Sequence, residues 1–293
     1  MTKAQAFIRR ATEQHWVGDG FPVRTMFSYD DRPEALSPFL LLDYAGPMTF
    51  EPTAKRRGVG PHPHRGFETV TIAYHGQVEH RDSAGGGGVI REGDVQWMTA
   101  GAGLVHQEFH TKEFAARGGP FEVIQLWVNL PKAHKMTPPR YQAITAADIP
   151  TVALPDDAGT VRIIAGEHAG TPGPAHTFSP VNLWAFSLKP QHPVHVRVPA
   201  GHTTMLFVLD GGIRLTGGEA VGTAELAVLE RDGDEVAFET LEPTRLLLLS
   251  GEPFTDPVVG YGPFVMTNEA EIRQAVIDYE SGRMGQIHAT HRT

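Results

Sequence analysis

The chain has 293 residues, 34 acidic and 25 basic side chains and a formal net charge of −9, and none of its apolar runs approaches the roughly 18 residues that span a bilayer. It has no cysteine, which excludes disulfides, zinc–thiolate sites, iron–sulfur clusters and thiol nucleophiles together, so any metal must be held by histidine and carboxylate. The acidic balance argues against direct nucleic-acid binding, since Arg9-Arg10 and Lys55-Arg56-Arg57 are too short to offset it.

In chain order, the first feature is an N-terminus in which Lys3, Arg9 and Arg10 interrupt any apolar stretch. No secretory leader is visible, and a cytoplasmic address is expected. Short β-branched and aromatic runs follow at 69–74, 95–98, 121–130, 161–164, 183–188, 203–209 and 244–249, each bounded by turn residues. Many short strands at close spacing predict an all-β chain of sandwiches or barrels. The four-glycine run at 85–88 lacks the spacing and the following Lys-Ser/Thr of a phosphate loop, and reads as a hairpin turn. Proline and glycine concentrate between 136 and 180, which predicts a connector with one strand at 161–164. The resulting division is a barrel over 1–135, the connector, and a second barrel over 181–293. Ile272, Ala275, Val276 and Tyr279 recur at helical spacing, so a helix is expected over about 268–283, capped by Asn268 and ending near Gly282.

The chemistry concentrates in two stretches. In Pro61-His62-Pro63-His64-Arg65-Gly66-Phe67-Glu68, the two histidines lie at i and i+2, which is one face of a strand. In Gly101-Ala102-Gly103-Leu104-Val105-His106-Gln107-Glu108, a glycine-rich bend leads to a second such pair. Two same-face pairs on neighbouring strands can supply three nitrogens and one oxygen to a single ion, with one or two positions open, although by spacing alone such pairs equally suit a chance or surface arrangement. Other residues compete. Glu68 shares parity with His62 and His64, and its alternative role is a hydrogen bond or an ion pair with Arg65. His80 and Asp82 form another i, i+2 pair but read as a solvated strand end. His110 lies one step beyond Glu108 on the same face and is at most a neighbour of the ligands. In the C-terminal half, Gly201-His202-Thr203-Thr204 carries threonine where a second histidine would stand, so that barrel is expected to hold no metal.

The residues from His62 to Val70 resemble the signature of the pirin family, within the cupin superfamily. So do Gln96-Trp97-Met98-Thr99-Ala100-Gly101 followed by His106-x-Glu108, Gln125-Leu126-Trp127-Val128-Asn129-Leu130-Pro131, Pro139-Arg140-Tyr141-Gln142, and Tyr261-Gly262-Pro263-Phe264-Val265-Met266. The resemblance implies a bicupin of two antiparallel β-barrels with one metal, in the N-terminal barrel, held by His62, His64, His106 and Glu108. Iron is the family's usual ion. The ligand types equally admit Ni, Cu, Co, Mn or Zn. Quercetin 2,3-dioxygenase activity is implied as well: oxidative ring cleavage of a flavonol or related enolisable phenol by dioxygen, with Glu108 as proton acceptor. Candidate pocket residues are Phe67, Gln125 and Arg65, with Phe39 and Trp97 assigned to the core. The alternative that the family raises is an iron-binding regulator that engages a protein partner in a metal- or redox-dependent way. A monomer is expected.

Overall fold

The computed structural model describes residues 1–10 and 13–287. It is mostly β, its sheets antiparallel, in two compact units. One unit comprises Glu13–Pro33, Phe39–Ala146 and Thr255–Thr293. The other comprises Met1–Thr12, Glu34–Pro38 and Ala147–Phe254. Chain position alone draws the division differently at both ends, because strand pairing and packing, not sequence proximity, decide membership. Gln5–Arg10 pairs with Glu225–Leu229, and the C-terminal helix packs with Val105, Phe264 and Met266.

The first unit has a large and a small sheet. The large one runs Arg140–Ile144, Val95–Thr99, Phe67–His75, Gly119–Asn129, Phe39–Phe50, Phe21–Phe27, His15–Val17, and the small one Gly58–His64, Leu104–His110, Val78–Asp82, Gly87–Ile90. Val78 and Ile90 from the small sheet pack with Phe21, Ala45, Phe121 and Val123 from the large one, so the core lies between them. The four-glycine run belongs to the hairpin joining Val78–Asp82 to Gly87–Ile90.

The second unit repeats the plan. Its large sheet runs Gln5–Arg10, Glu225–Leu229, Thr203–Asp210, Thr244–Gly251, Val181–Leu188, Gly159–Ala165, Thr151–Ala153, and its small sheet Pro193–Arg197, Glu235–Thr240, Gly212–Leu215, Ala220–Gly222. The region 136–180 holds more strand than the one expected. Arg140–Ile144 and Thr151–Ala153 are edge strands whose pairing comes from Val95–Thr99 and Gly159–Ala165 rather than from their own residues.

The helix spans Glu269–Glu280, and the Asn268 side chain accepts from the Glu271 N–H at 3.0 Å. Ile272 and Ala275 are buried as the spacing predicts, whereas Tyr279 is 39% exposed and Asp278 is buried in its place. Arg65 is the cause. Its guanidinium sits between the Ala102 carbonyl and the Asp278 carboxylate, at 2.7 Å from each. Among the described residues no helix is long and apolar enough to cross a membrane.

Candidate metal centre

The two motif stretches become adjacent strands of the small sheet. Gly58–His64 pairs with Leu104–His110 so that His106 stands directly opposite His62 and Leu104 opposite His64. Inward parity then places His62, His64 and His106 on one patch. Their ring centroids lie 5.0 Å (His62–His64), 4.2 Å (His62–His106) and 4.7 Å (His64–His106) apart. One ring nitrogen from each falls within 4.8 Å of the other two, a set able to hold a metal ion. The pairing register carries an extra residue between Val59 and His62, a bulge of the kind that re-aims side chains beside functional sites.

The turn that follows His64 needs glycine. Gly66 has φ of +90°, and a Cβ there would meet the Val265 carbonyl oxygen at 2.0 Å. This close approach brings the hairpin of Val259–Tyr261 and Phe264–Met266 onto the end of Gly58–His64, where Arg65 N–H donates to the Pro263 carbonyl and Val265 N–H to the Arg65 carbonyl.

His64 and His106 are almost wholly buried, while His62 is partly exposed. Burial, then the crowding of neighbouring imidazoles, holds the pKa of His64 and His106 well below the ordinary histidine value, so both rings are neutral at pH 7. His64 Nδ1 and His106 Nε2 are buried without a hydrogen-bond partner. An orphaned polar atom in a core costs about 1–3 kcal/mol. Two of them, on neutral rings packed against a third imidazole, fit a metal ion, which takes up such lone pairs.

Glu108 is also buried, but its carboxylate is taken up elsewhere: Oε1 accepts from Thr71 Oγ1 at 3.3 Å and Oε2 from Gln125 Nε2 at 3.1 Å. It shares a second cluster of potential ligands with His106 and His80. A narrow cavity opens onto this point. Val17, Phe21, Val23, Ala45, Val59 and Val123 form its apolar walls, and Asp43, His62, Thr71, Glu108 and Gln125 its polar patch.

The other sequence candidates lie elsewhere. Phe67 is buried, stacked on Trp127 at 4.3 Å and edge-on to His64 at 5.2 Å, so it backs the His64 ring without lining the cavity. Phe39 and Trp97 are buried in the core. Arg65 faces Asp278, and the expected ion pair with Glu68 does not form. Glu68 accepts instead from Thr99 Oγ1 at 2.8 Å, and burial pushes its pKa up to about 7. His110 is boxed by Phe21, Phe50, Phe114 and Phe121, and its Nε2 faces the Gly20 carbonyl at 2.9 Å.

The expectation of a solvated strand end at His80 and Asp82 is overturned. The His80 side chain is fully buried and that of Asp82 is 2% exposed, because the strand carrying them is the inner neighbour of Leu104–His110. His80 Nδ1 lies 3.3 Å from His106 Nδ1. Parity alone was the available signal, since His80 and Asp82 repeat the i, i+2 pattern of His62 and His64.

Among the described residues the second unit carries no equivalent patch. By sheet order, the counterpart of Gly58–His64 is Pro193–Arg197, not the segment around His202. That strand buries Val194 and Val196, and the counterpart of Leu104–His110 buries Val236 and Phe238. His202 instead precedes the strand equivalent to Phe67–His75, and its Nδ1 lies 3.2 Å from Ser250 Oγ.

The Pirin family model matches residues 20–128, and the model described as the Pirin C-terminal cupin domain matches residues 183–285. The chain belongs to the pirin family. Its two units are therefore cupin domains. A Pseudomonas aeruginosa protein named "Putative quercetin 2,3-dioxygenase PA2418" is 53% identical, over 94% of this chain and 96% of its own length. A crystal structure of quercetin 2,3-dioxygenase from Acinetobacter baumannii superposes with a TM-score of 0.95 at 51% identity, covering 98% of this chain and all of that one. The bacterial pirin YhhW from Escherichia coli, solved in complex with nickel(II), shares the fold with a TM-score of 0.64 at 20% identity, over 85% of this chain and 99% of its own.

Proposed function

We propose that this pirin is a metal-dependent dioxygenase that opens the ring of a flavonol, or of a related enolisable phenol, with His62, His64, His106 and Glu108 as ligands and Fe(II) as the working ion. One observation carries the reading: a buried carboxylate, hydrogen-bonded by Gln125, groups with His106, itself one of three clustered imidazoles, and Glu108 and His62 line the same apolar-walled cavity. The likeness to the two proteins named for quercetin 2,3-dioxygenase supports it.

A bound transition metal would supply positive charge that stabilises a deprotonated enol oxygen, and redox chemistry toward dioxygen. The chain does the rest. The cavity holds about 40 Å³, less than a flavonol needs, so its apolar walls must part to admit a flat aromatic body, which they would then shield from water. Glu108 accepts the proton of the enolic hydroxyl, and Thr71 and Gln125 keep its carboxylate facing the cavity meanwhile. Partial exposure of His62 leaves one side of the cluster approachable from the cavity that it lines.

The test is anaerobic loading with Fe(II), then quercetin and oxygen, following flavonol absorbance, oxygen uptake and carbon monoxide release. Turnover that disappears in His106→Ala is expected. A metal-replete protein that consumes neither flavonol nor oxygen refutes the enzyme reading and leaves the metal-dependent regulator.

A further inference from the structure

Behind His106 lies a chain of buried polar groups that the proposed chemistry does not use. His106 Nδ1 faces His80 Nδ1 at 3.3 Å, and His80 Nε2 faces Asp82 Oδ2 at 3.3 Å. The other carboxylate oxygen, Asp82 Oδ1, accepts from the Ala84 and Gly86 N–H groups, at 2.8 Å each. The His80 ring is stacked on Tyr141, with centroids 5.1 Å apart and planes 20° from parallel. The glycine run takes part as well. A Cβ at Gly86 would stand 2.4 Å from Asp82 Oδ2, so the carboxylate occupies space that only glycine leaves open.

The direction of these bonds follows from what each group can do. A carboxylate only accepts, so His80 Nε2 must donate to Asp82. With His80 in its neutral form, which has one donor and one acceptor, His80 Nδ1 accepts. His106 Nδ1 must then donate, which leaves the lone pair on Nε2. That atom is one of the two buried nitrogens of the histidine cluster without a hydrogen-bond partner, His64 Nδ1 being the other.

We propose that Asp82 and His80 form a positioning relay that holds His106 in its Nδ1–H tautomer and so presents the Nε2 lone pair to the metal. The proposal rests on the metal reading given above and adds two residues that are not ligands. Metal-binding histidines are commonly oriented by a partner on the far nitrogen, and loss of that partner costs about 10- to 100-fold in metal affinity.

Asp82→Asn is the sharpest variant. Its amide oxygen keeps the Ala84 and Gly86 bonds, which places the NH2 group against His80 Nε2. The relay then inverts, and His106 Nε2 carries a proton in place of a lone pair. His80→Gln retains one donor and one acceptor, whereas His80→Leu has neither.

The experiment measures Co(II) affinity by competition with a chelator, the imidazole count of the Co(II) protein by X-ray absorption, the metal-free His106 tautomer by 15N NMR, and metal-free thermal stability. We expect Asp82→Asn and His80→Leu to weaken Co(II) binding about 10- to 100-fold, His80→Gln to recover most of it, and the imidazole count to be unchanged. The His106 tautomer should be Nδ1–H in wild type and altered in Asp82→Asn. Affinity that tracks thermal stability alone makes the pair merely structural and overturns the proposal. A lost imidazole in His80→Leu overturns it too, because His80 is then a ligand. If wild type binds no Co(II), the metal reading fails. The NMR tautomer still decides the relay in that case: Nδ1–H set by Asp82 upholds the geometry, and an unchanged tautomer in Asp82→Asn refutes it.

Discussion

Removing the Asp278 carboxylate should destabilise the first unit far more than the loss of an ordinary helix-surface acid. Asp278 Oδ2 lies 2.7 Å from Arg65 Nη2, with side chains 13% and 5% exposed. Asp278→Ala leaves the Arg65 guanidinium buried with the Ala102 carbonyl and no countercharge, and breaking such a pair from one side costs about 3–5 kcal/mol. Arg65→Met should cost less, because Asp278 keeps Gln274 Nε2 and Arg283 Nε, each at 2.7 Å. An apolar replacement of both partners should recover much of the loss. Acid provides a second readout. Burial alone would raise the Asp278 pKa, but bonds from Gln274, Arg65 and Arg283 outweigh it and hold the carboxyl at about 2. Since the folded value is depressed, the stabilisation is complete above the unfolded carboxyl value of 3.8 and is lost as pH falls through about 2; Asp278→Asn should lack that slope. Urea unfolding gives the global cost, and hydrogen exchange of the helix amides reports it locally. A loss below about 1 kcal/mol for Asp278→Ala, the size of an exposed pair, would refute the reasoning.

Three further outcomes follow from the same geometry. Gly66→Ala should lower stability by about 3 kcal/mol or more, a melting shift of about 6–12 °C, because φ of +90° and contact with the Val265 carbonyl both oppose a Cβ; an unchanged melting curve contradicts this. Glu68, with its pKa raised to about 7 by burial, holds a proton in the folded state that the unfolded chain releases from pH 4.5 upward. Stability should therefore fall between pH 4.5 and about 7, by up to roughly 3 kcal/mol, and Glu68→Gln should flatten that slope in urea titrations across the window. Gln125→Ala frees one oxygen of Glu108, so flavonol turnover should drop about 10- to 100-fold with Co(II) affinity within threefold of wild type. Equal losses in both would show that Gln125 supports metal binding rather than the orientation of Glu108.

Periodicity carried much of this protein in the primary sequence. Alternation of apolar residues predicted strands that the structure contains, and parity alone placed His62 with His64 and His106 with Glu108 on shared faces. The helix, its Asn268 cap and the buried pair Ile272 and Ala275 were equally legible, since local hydrogen bonding and spacing set them. Motif order along the chain identified the family.

Pairing between distant strands decided the rest. His80 and Asp82 look like a solvated strand end until Val78–Asp82 is seen as the inner neighbour of Leu104–His110, which buries both. The same parity rule brings His202 and Thr204 to notice, yet sheet order makes the strand of Val194 and Val196 the counterpart of Gly58–His64. Arg65 reads as a pocket residue until Asp278 arrives from 213 residues along the chain. In each case a side chain's local pattern states which way it can point, while the partner it meets there comes from chain far away in sequence. Residue order alone therefore shows that four ligand-type side chains face inward. Only the packed structure shows that two further residues stand behind them.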